Sequence, residues 1–180
     1  MFASIVPLRY VLILFVLLLI FFFPQNAKAS EESMFFLFNE WCVQAAHNQN
    51  RIKAAAKLLK WEELSTDALQ AITPADSDHL KGWKVMKDEP FLLFIGDGRP
   101  YGKNLRVYLC NVVSVGKNIF VLREMIKKYL KVVDHRKEES PLLMTYQWDV
   151  LSEANVGVVV QLQRSKEPSN KTVTLQSFTD

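Results

Sequence analysis

An α+β fold, with helices first and an antiparallel sheet after them, is predicted by three features of the sequence. Apolar residues recur every three or four positions between residues 33 and 60, and again between 119 and 133. Between and beyond these segments the period falls toward two, with turn-forming residues at the joints. Strand and helix patterns do not alternate regularly, so a doubly wound parallel sheet is not expected. The predicted architecture is an N-terminal helical hairpin followed by an antiparallel sheet of about five strands. One long helix is inserted between a strand pair and a C-terminal three-strand meander.

The first 29 of the 180 residues have a different character. Arg9 precedes an unbroken apolar run from Tyr10 to Phe23, Pro24 ends it, and Ala27-Lys28-Ala29 follows with small residues at two alternate positions. This is the charged, apolar and small-residue pattern of a secretory signal peptide. The apolar run is shorter than the roughly 20 residues needed to cross a bilayer as a helix. Cleavage after Ala29 is therefore expected, leaving residues 30–180 as a single α+β domain. An uncleaved leader would tether that domain to a membrane, the only route to membrane contact in this reading. The destination is exported, either periplasmic or extracellular.

Past the leader, Met34, Phe35, Phe38, Trp41, Cys42 and Ala45 share one face of a helix over about 33–47, with Ser33 as its cap. Asn48-Gln49-Asn50 breaks the pattern. Ile52, Ala55, Ala56 and Leu59 then form the inner face of a second helix, with Arg51, Lys53, Lys57 and Lys60 outside. Ser65-Thr66-Asp67 caps a short helix that Pro74 closes. Segments 83–87, 90–96 and 104–113 read as strands, the last two forming a hairpin around the turn-rich stretch Gly96 to Gly102. Ile119, Leu122, Met125, Ile126, Tyr129, Leu130 and Val133 resume helical spacing, and Asp134-His135 leads into a charged surface turn. Segments 142–151, 156–164 and 172–178 complete the chain as a meander.

The order of elements resembles profilin-like and PAS-like architectures, in which a two-strand unit and a three-strand meander share one antiparallel sheet. The leader, Phe38 to Val43, Ile52 to Trp61 and the later Cys110 also resemble a group of small exported alphaproteobacterial proteins without assigned activity. That resemblance implies export and a bacterial source, and it implies no catalytic residue.

Two cysteines, Cys42 and Cys110, are present. In an oxidising compartment an even count favours one disulfide, here closing 68 residues of chain. Neither belongs to a Cys-x-x-Cys pair, and His47, His79 and His135 have no metal-ligand spacing. No catalytic residue, metal or cofactor is therefore expected. Asp76-Ser77-Asp78-His79 is the densest polar cluster, and a rival reading makes Asp76, Asp78 and His79 the acid, base or metal site of an exported hydrolase. Arg99, Tyr101 and Lys103 on the hairpin tip are candidate binding residues, because exposed loops carry binding groups. Trp83, Tyr101, Tyr146 and Trp148 would suit a flat apolar ligand if they lined one cleft.

Charge narrows the partners. Lys and Arg total 22 against 19 Asp and Glu, and losing Arg9 and Lys28 with the leader leaves 20 against 19. A near-neutral chain gives no support to a nucleic-acid partner. Six Gly, seven Pro and 23% charged residues also argue against collagen-like and disordered classes. The expectation is an exported, non-enzymatic binding or interaction module for a protein or small molecule. A membrane-tethered envelope protein is the third reading.

Overall fold

The computed structural model describes residues 30–45, 48–72, 78–98, 107–151, 157–169 and 171–179. The expected signal peptide lies outside them. Residues 30–38 are α-helical and continue into a π-helical turn at Asn39–Val43, closed by a bond from the Gln44 N–H to the Asn39 carbonyl at 2.9 Å. Together these form α1. Its start is earlier than periodicity suggests, because Ser30, Glu31 and Ser33 make polar contacts that fix the first turn. Met34, Phe35, Leu37, Phe38, Trp41 and Cys42 are all buried.

The next helix, α2 at Gln49–Leu58, is capped by Asn48, whose side chain accepts the Arg51 N–H at 2.9 Å. It buries only Ile52 and Ala56. The expected helical hairpin is thus corrected: α1 lies along the sheet as part of the core, and α2 is a short appendage on its far end. A two-residue strand, β1 at Glu62–Glu63, follows, and then α3 at Thr66–Ile72. Ser65 caps α3 as expected, its hydroxyl accepting the Ala68 N–H at 3.2 Å.

The remaining elements are β2 (Asp78–Met86), β3 (Pro90–Gly98), β4 (Val107–Val115), α4 (Ile119–Tyr129), β5 (Val132–Glu139), β6 (Leu143–Val150), β7 (Val158–Ser165) and β8 (Thr172–Thr179). They make one antiparallel sheet in the order β1-β2-β3-β4-β8-β7-β6-β5. Two four-strand meanders meet where β4 pairs with β8, and α4 carries the chain from the middle of the sheet to its far edge.

The α+β class is as expected, and the strand count is not: eight strands stand in place of about five. β1 is too short to have a period. β5 occupies a segment expected to be the end of a helix and a charged turn. An edge strand needs no buried alternation, so Arg136-Lys137-Glu138-Glu139 hides it from pattern reading. The helix stops at Leu130, whose backbone is already extended.

The sheet has two unequal faces. One packs against α1 and α4, with Trp83, Val85, Phe91, Leu93, Ile95, Val112, Tyr146, Trp148, Val160, Leu162, Val173 and Leu175 in the main core. On the other face α3 covers a smaller cluster, in which Leu69 packs with Phe94, Leu109 and Val113. Gly82 makes that approach achievable. A Cβ there would meet the Leu69 side chain at 2.5 Å and Phe94 Cβ at 3.0 Å.

Cys42 and Cys110 form a disulfide, with Cα atoms 5.2 Å apart. It joins the last turn of α1 to β4, one of the two strands at the junction of the meanders. Beside it, the Ser177 hydroxyl of β8 donates to the Cys42 carbonyl at 2.8 Å, satisfying an acceptor that the helix end leaves open.

Two outcomes follow from this packing. The Cys42→Ala/Cys110→Ala double variant should be about 4 kcal/mol less stable, from the loop-closure entropy of 68 residues. Urea midpoints of the oxidised protein and the variant check this, and equal midpoints would refute it. Gly82→Ala should cost about 1–3 kcal/mol by pushing α3 off the sheet, measured as a lower melting temperature with the disulfide intact.

Candidate functional site

The end of α2 builds the most distinctive surface feature. Lys60 adopts a positive φ of 53°. Its N–H bonds to the Lys57 carbonyl at 3.4 Å, and the Trp61 N–H bonds to the Ala56 carbonyl at 2.9 Å. This is a Schellman-type helix stop, with lysine in the left-handed position that glycine usually fills. It turns the chain sharply and delivers Trp61 to the outer edge of the sheet, just before β1.

Trp61 is half-buried and stands between Trp41 of α1 and Trp83 of β2. Its ring meets Trp41 edge-on at 5.6 Å between centroids, and it lies 6.4 Å from Trp83. Trp41 and Trp83 are buried, so the indole between them is the one that meets solvent. The Arg51 guanidinium lies 5.6 Å from the Trp41 ring centroid.

Two concavities share Trp61 as a wall. The larger, about 520 Å³, runs between α1 and the end of β2, with Glu40, Trp41, Lys60, Lys84, Met86 and Lys87 among its walls. The smaller, about 360 Å³, runs along α2 and holds Lys53, Lys57, Glu63, Lys81 and Trp83. Across the two, six lysines face three glutamates, Glu40, Glu62 and Glu63. Lys81 pairs with Glu63 at 2.9 Å, and Lys84 reaches Glu62 at 3.7 Å. Lys57, Lys60 and Lys87 have no ion-pair partner among the described residues. The groove therefore combines an aromatic wall with surplus positive charge.

A separate concavity, about 420 Å³, lies between α1 and α4 and is lined by Phe120, Val121, Met125 and Tyr129, with Glu32, Glu124 and Lys128 at its rim. Phe36, 44% exposed, adjoins it through Tyr129. Its rim carries two carboxylates against one ammonium, the opposite bias to the tryptophan groove, and it lacks the sheet edge.

Arg99, Tyr101 and Lys103 lie outside the described residues, as do Asp76 and His47. β3 and β4 do form the expected hairpin, closed at Gly98 opposite Val107. Asp78 and His79 open β2. The His79 side chain is 73% exposed, and its Nδ1 lies 3.0 Å from Asp97 Oδ2, a surface pair. Burial, reinforced by the charge of Asp97, holds the Tyr108 phenol well above its ordinary range. Among the described residues no group of three His, Cys, Asp or Glu could hold a metal ion.

The four-ring cleft is not assembled. Trp83 on β2 and Trp148 on β6 are five strands apart in the sheet, about 24 Å at the usual strand spacing. Tyr146 instead stacks on Trp148 and on the exposed His135, and the Trp148 ring lies tilted 5.3 Å from the His135 ring. Nothing in the residues around Trp61 sets it apart from a core aromatic. The signal for its role is slight: Leu58 and Leu59, both exposed, end the helix just before it.

No family model, curated protein or solved structure matches this chain.

His135 gives a pH expectation. Stacking on Tyr146 and Trp148 strips water from the imidazole, and the cations Lys127 and Arg123 add to this, so its pKa is lowered from 6.5. Tyr146 on β6 and Glu124 on α4 are the other ionisable groups around Arg123. A His with a depressed folded pKa contributes stability that is full above the unfolded pKa. That contribution is lost as pH falls through about 6.5 toward the folded value. His135→Phe, which keeps a ring in place, should flatten the loss of stability between about pH 7 and 5. Parallel urea titrations of both proteins across that range check the slope.

Proposed function

We propose that the protein is an exported, non-enzymatic binding module that captures an anionic ligand in the groove around Trp61. The carrying observation is a half-exposed indole that walls two concavities rimmed by six lysines and three glutamates. An aromatic face offers contact area at low conformational cost, and unpaired ammonium groups select negative charge. Near-neutral overall charge agrees with a ligand recognised locally rather than by a field spread over the whole surface.

Export rests on the leader pattern and accords with the disulfide. A bond between Cys42 and Cys110 is compatible with an oxidising location. Among the described residues no helix is long and apolar enough to cross a membrane.

The test is calorimetric titration with short oligouronates and acidic peptides, alongside neutral oligomers of the same length. An anionic probe should bind and the neutral one should not. Affinity should fall at least tenfold with Trp61→Ala, and fall again in high salt. Binding that survives Trp61→Ala together with Lys57→Ala and Lys60→Ala would place the ligand elsewhere. The absence of binding by any anionic probe would remove the reading.

A further inference from the structure

The first turn of α1 is held by more polar contacts than any other helix end described. Ser30 Oγ donates to Glu89 Oε1 at 2.7 Å, and Ser33 Oγ donates to Asp88 Oδ2 at 2.5 Å. The Asn118 N–H donates to Glu31 Oε1 at 2.8 Å. The Lys117 ammonium touches both Ser30 Oγ and Glu89. Ser114 Oγ lies 3.5 Å from the same Glu89 oxygen. Lys117 is 5% exposed in its side chain, and its ammonium lies over the Phe91 ring.

The charge in this cluster does not balance. Three carboxylates face it: Glu31 from α1 itself, and Asp88 and Glu89 from the turn between β2 and β3. Among the described residues one ammonium answers them, Lys117 from the loop before α4. Lys87, next along the turn, lines the tryptophan groove. A second cation at the start of α1 would reduce the deficit.

The sequence supplies one. Ser30 directly follows Ala27-Lys28-Ala29, the small-residue pattern at which the leader is expected to be cut. Hydrolysis of the Ala29–Ser30 bond by an export peptidase uses one water, leaves a carboxylate on the leader and frees an amine on Ser30. That nitrogen sits about 3 Å from its own Oγ. With Oγ at 2.7 Å from Glu89 Oε1, the amine is at most about 6 Å from that carboxylate, within the range where opposite charges stabilise each other.

We propose that cutting the leader at Ser30 creates a structural cation, the new α-ammonium, which docks against Glu89, Asp88 and Glu31 and fastens α1 to the sheet. Before the cut the same nitrogen is a neutral amide. Maturation is then a stabilising step and not only a release from the membrane. An ammonium at a helix N-terminus opposes the helix dipole, and the facing carboxylates overcome that effect. The proposal rests on the leader reading given above.

The experiment uses the full chain expressed in an exporting host. The exported product is purified, its first residue is read by amino-terminal sequencing, and its urea midpoint is measured before and after selective acetylation of the α-amine. A version carrying one extra alanine before Ser30 after processing moves the amine without chemical treatment. The expected product starts at Ser30. Acetylation or the added alanine should raise the unfolding equilibrium constant on the order of tenfold, equal to an α-amino pKa raised by about one unit.

A group whose folded pKa is raised contributes stability that is full below the unfolded value, about 8 here, and is lost as pH rises through the folded one. The unmodified product should show that loss and the acetylated one should not. Glu89→Gln should shrink the difference between them. A product that starts elsewhere overturns the leader reading and this proposal together. A product that starts at Ser30 with a midpoint indifferent to acetylation and to the added alanine overturns this proposal alone.

Discussion

The bond between Cys42 and Cys110 settles where α1 lies, and most of the remaining structure depends on that placement. Eight antiparallel strands with two unequal faces need a cover for the more apolar one. The helix that supplies it comes first among the described residues and contacts strands more than a hundred residues later. Cys42 sits against Ser177, 135 residues downstream. Closing such a distance is entropically unfavourable for an unlinked chain. The disulfide removes part of that cost by tying the helix end to β4. The π-helical turn serves the same joint. Its two buried residues are Trp41 and Cys42, the cysteine bonded to the sheet and the tryptophan lining the groove.

The groove is therefore a product of the staple and of a second local stop. Trp41 is held by α1, Trp83 by β2, and Trp61 by the left-handed Lys60 that ends α2. Three elements from different parts of the chain meet with ring centroids 5.6 and 6.4 Å apart. Left-handed backbone at a non-glycine residue is unfavourable and persists where the surroundings enforce it. Here the result is a helix terminated abruptly enough to leave an indole on the surface, with lysines on both sides of it.

How much of this could be read from the sequence follows from what each signal measures. The amphipathic period found α1 and α4, because both bury one stripe against a sheet. Residue count and expected compartment found the disulfide, because two cysteines leave one pairing. Turn residues found the β3–β4 hairpin. The periods fail at β5: His135 to Glu139 are polar because the strand is an edge, and Val133 fits a helical spacing that Leu130 has already ended. They fail at Trp61 for a different reason. Its exposure is decided by the backbone angle of Lys60 and by where α1 lies, and neither is encoded within a window around the residue. Periodicity reports burial within an element, and a site assembled from three elements has no period.

The two edges of the sheet differ in a way that bears on function. Along β5 two cations, Arg136 and Lys137, are followed by two carboxylates, Glu138 and Glu139; Lys137 pairs with Glu139 at 2.9 Å, and Lys166, just past β7, reaches the same carboxylate at 2.7 Å. Glu139 is held down to about 2 by hydrogen bonds from Lys166 and Lys137. An edge with satisfied, mixed charge resists pairing with other chains. At the other edge, β1 covers only Trp83 and Lys84 of the nine-residue β2, and the uncovered end at Val85 and Met86 opens into the groove. Met86 is 63% exposed there. Closing one edge with balanced charge while leaving the other with an aromatic wall and surplus lysines is hard to derive from stability alone. Burying Trp61 and pairing every lysine would serve the fold better. A surface that keeps both available fits the binding role proposed for it.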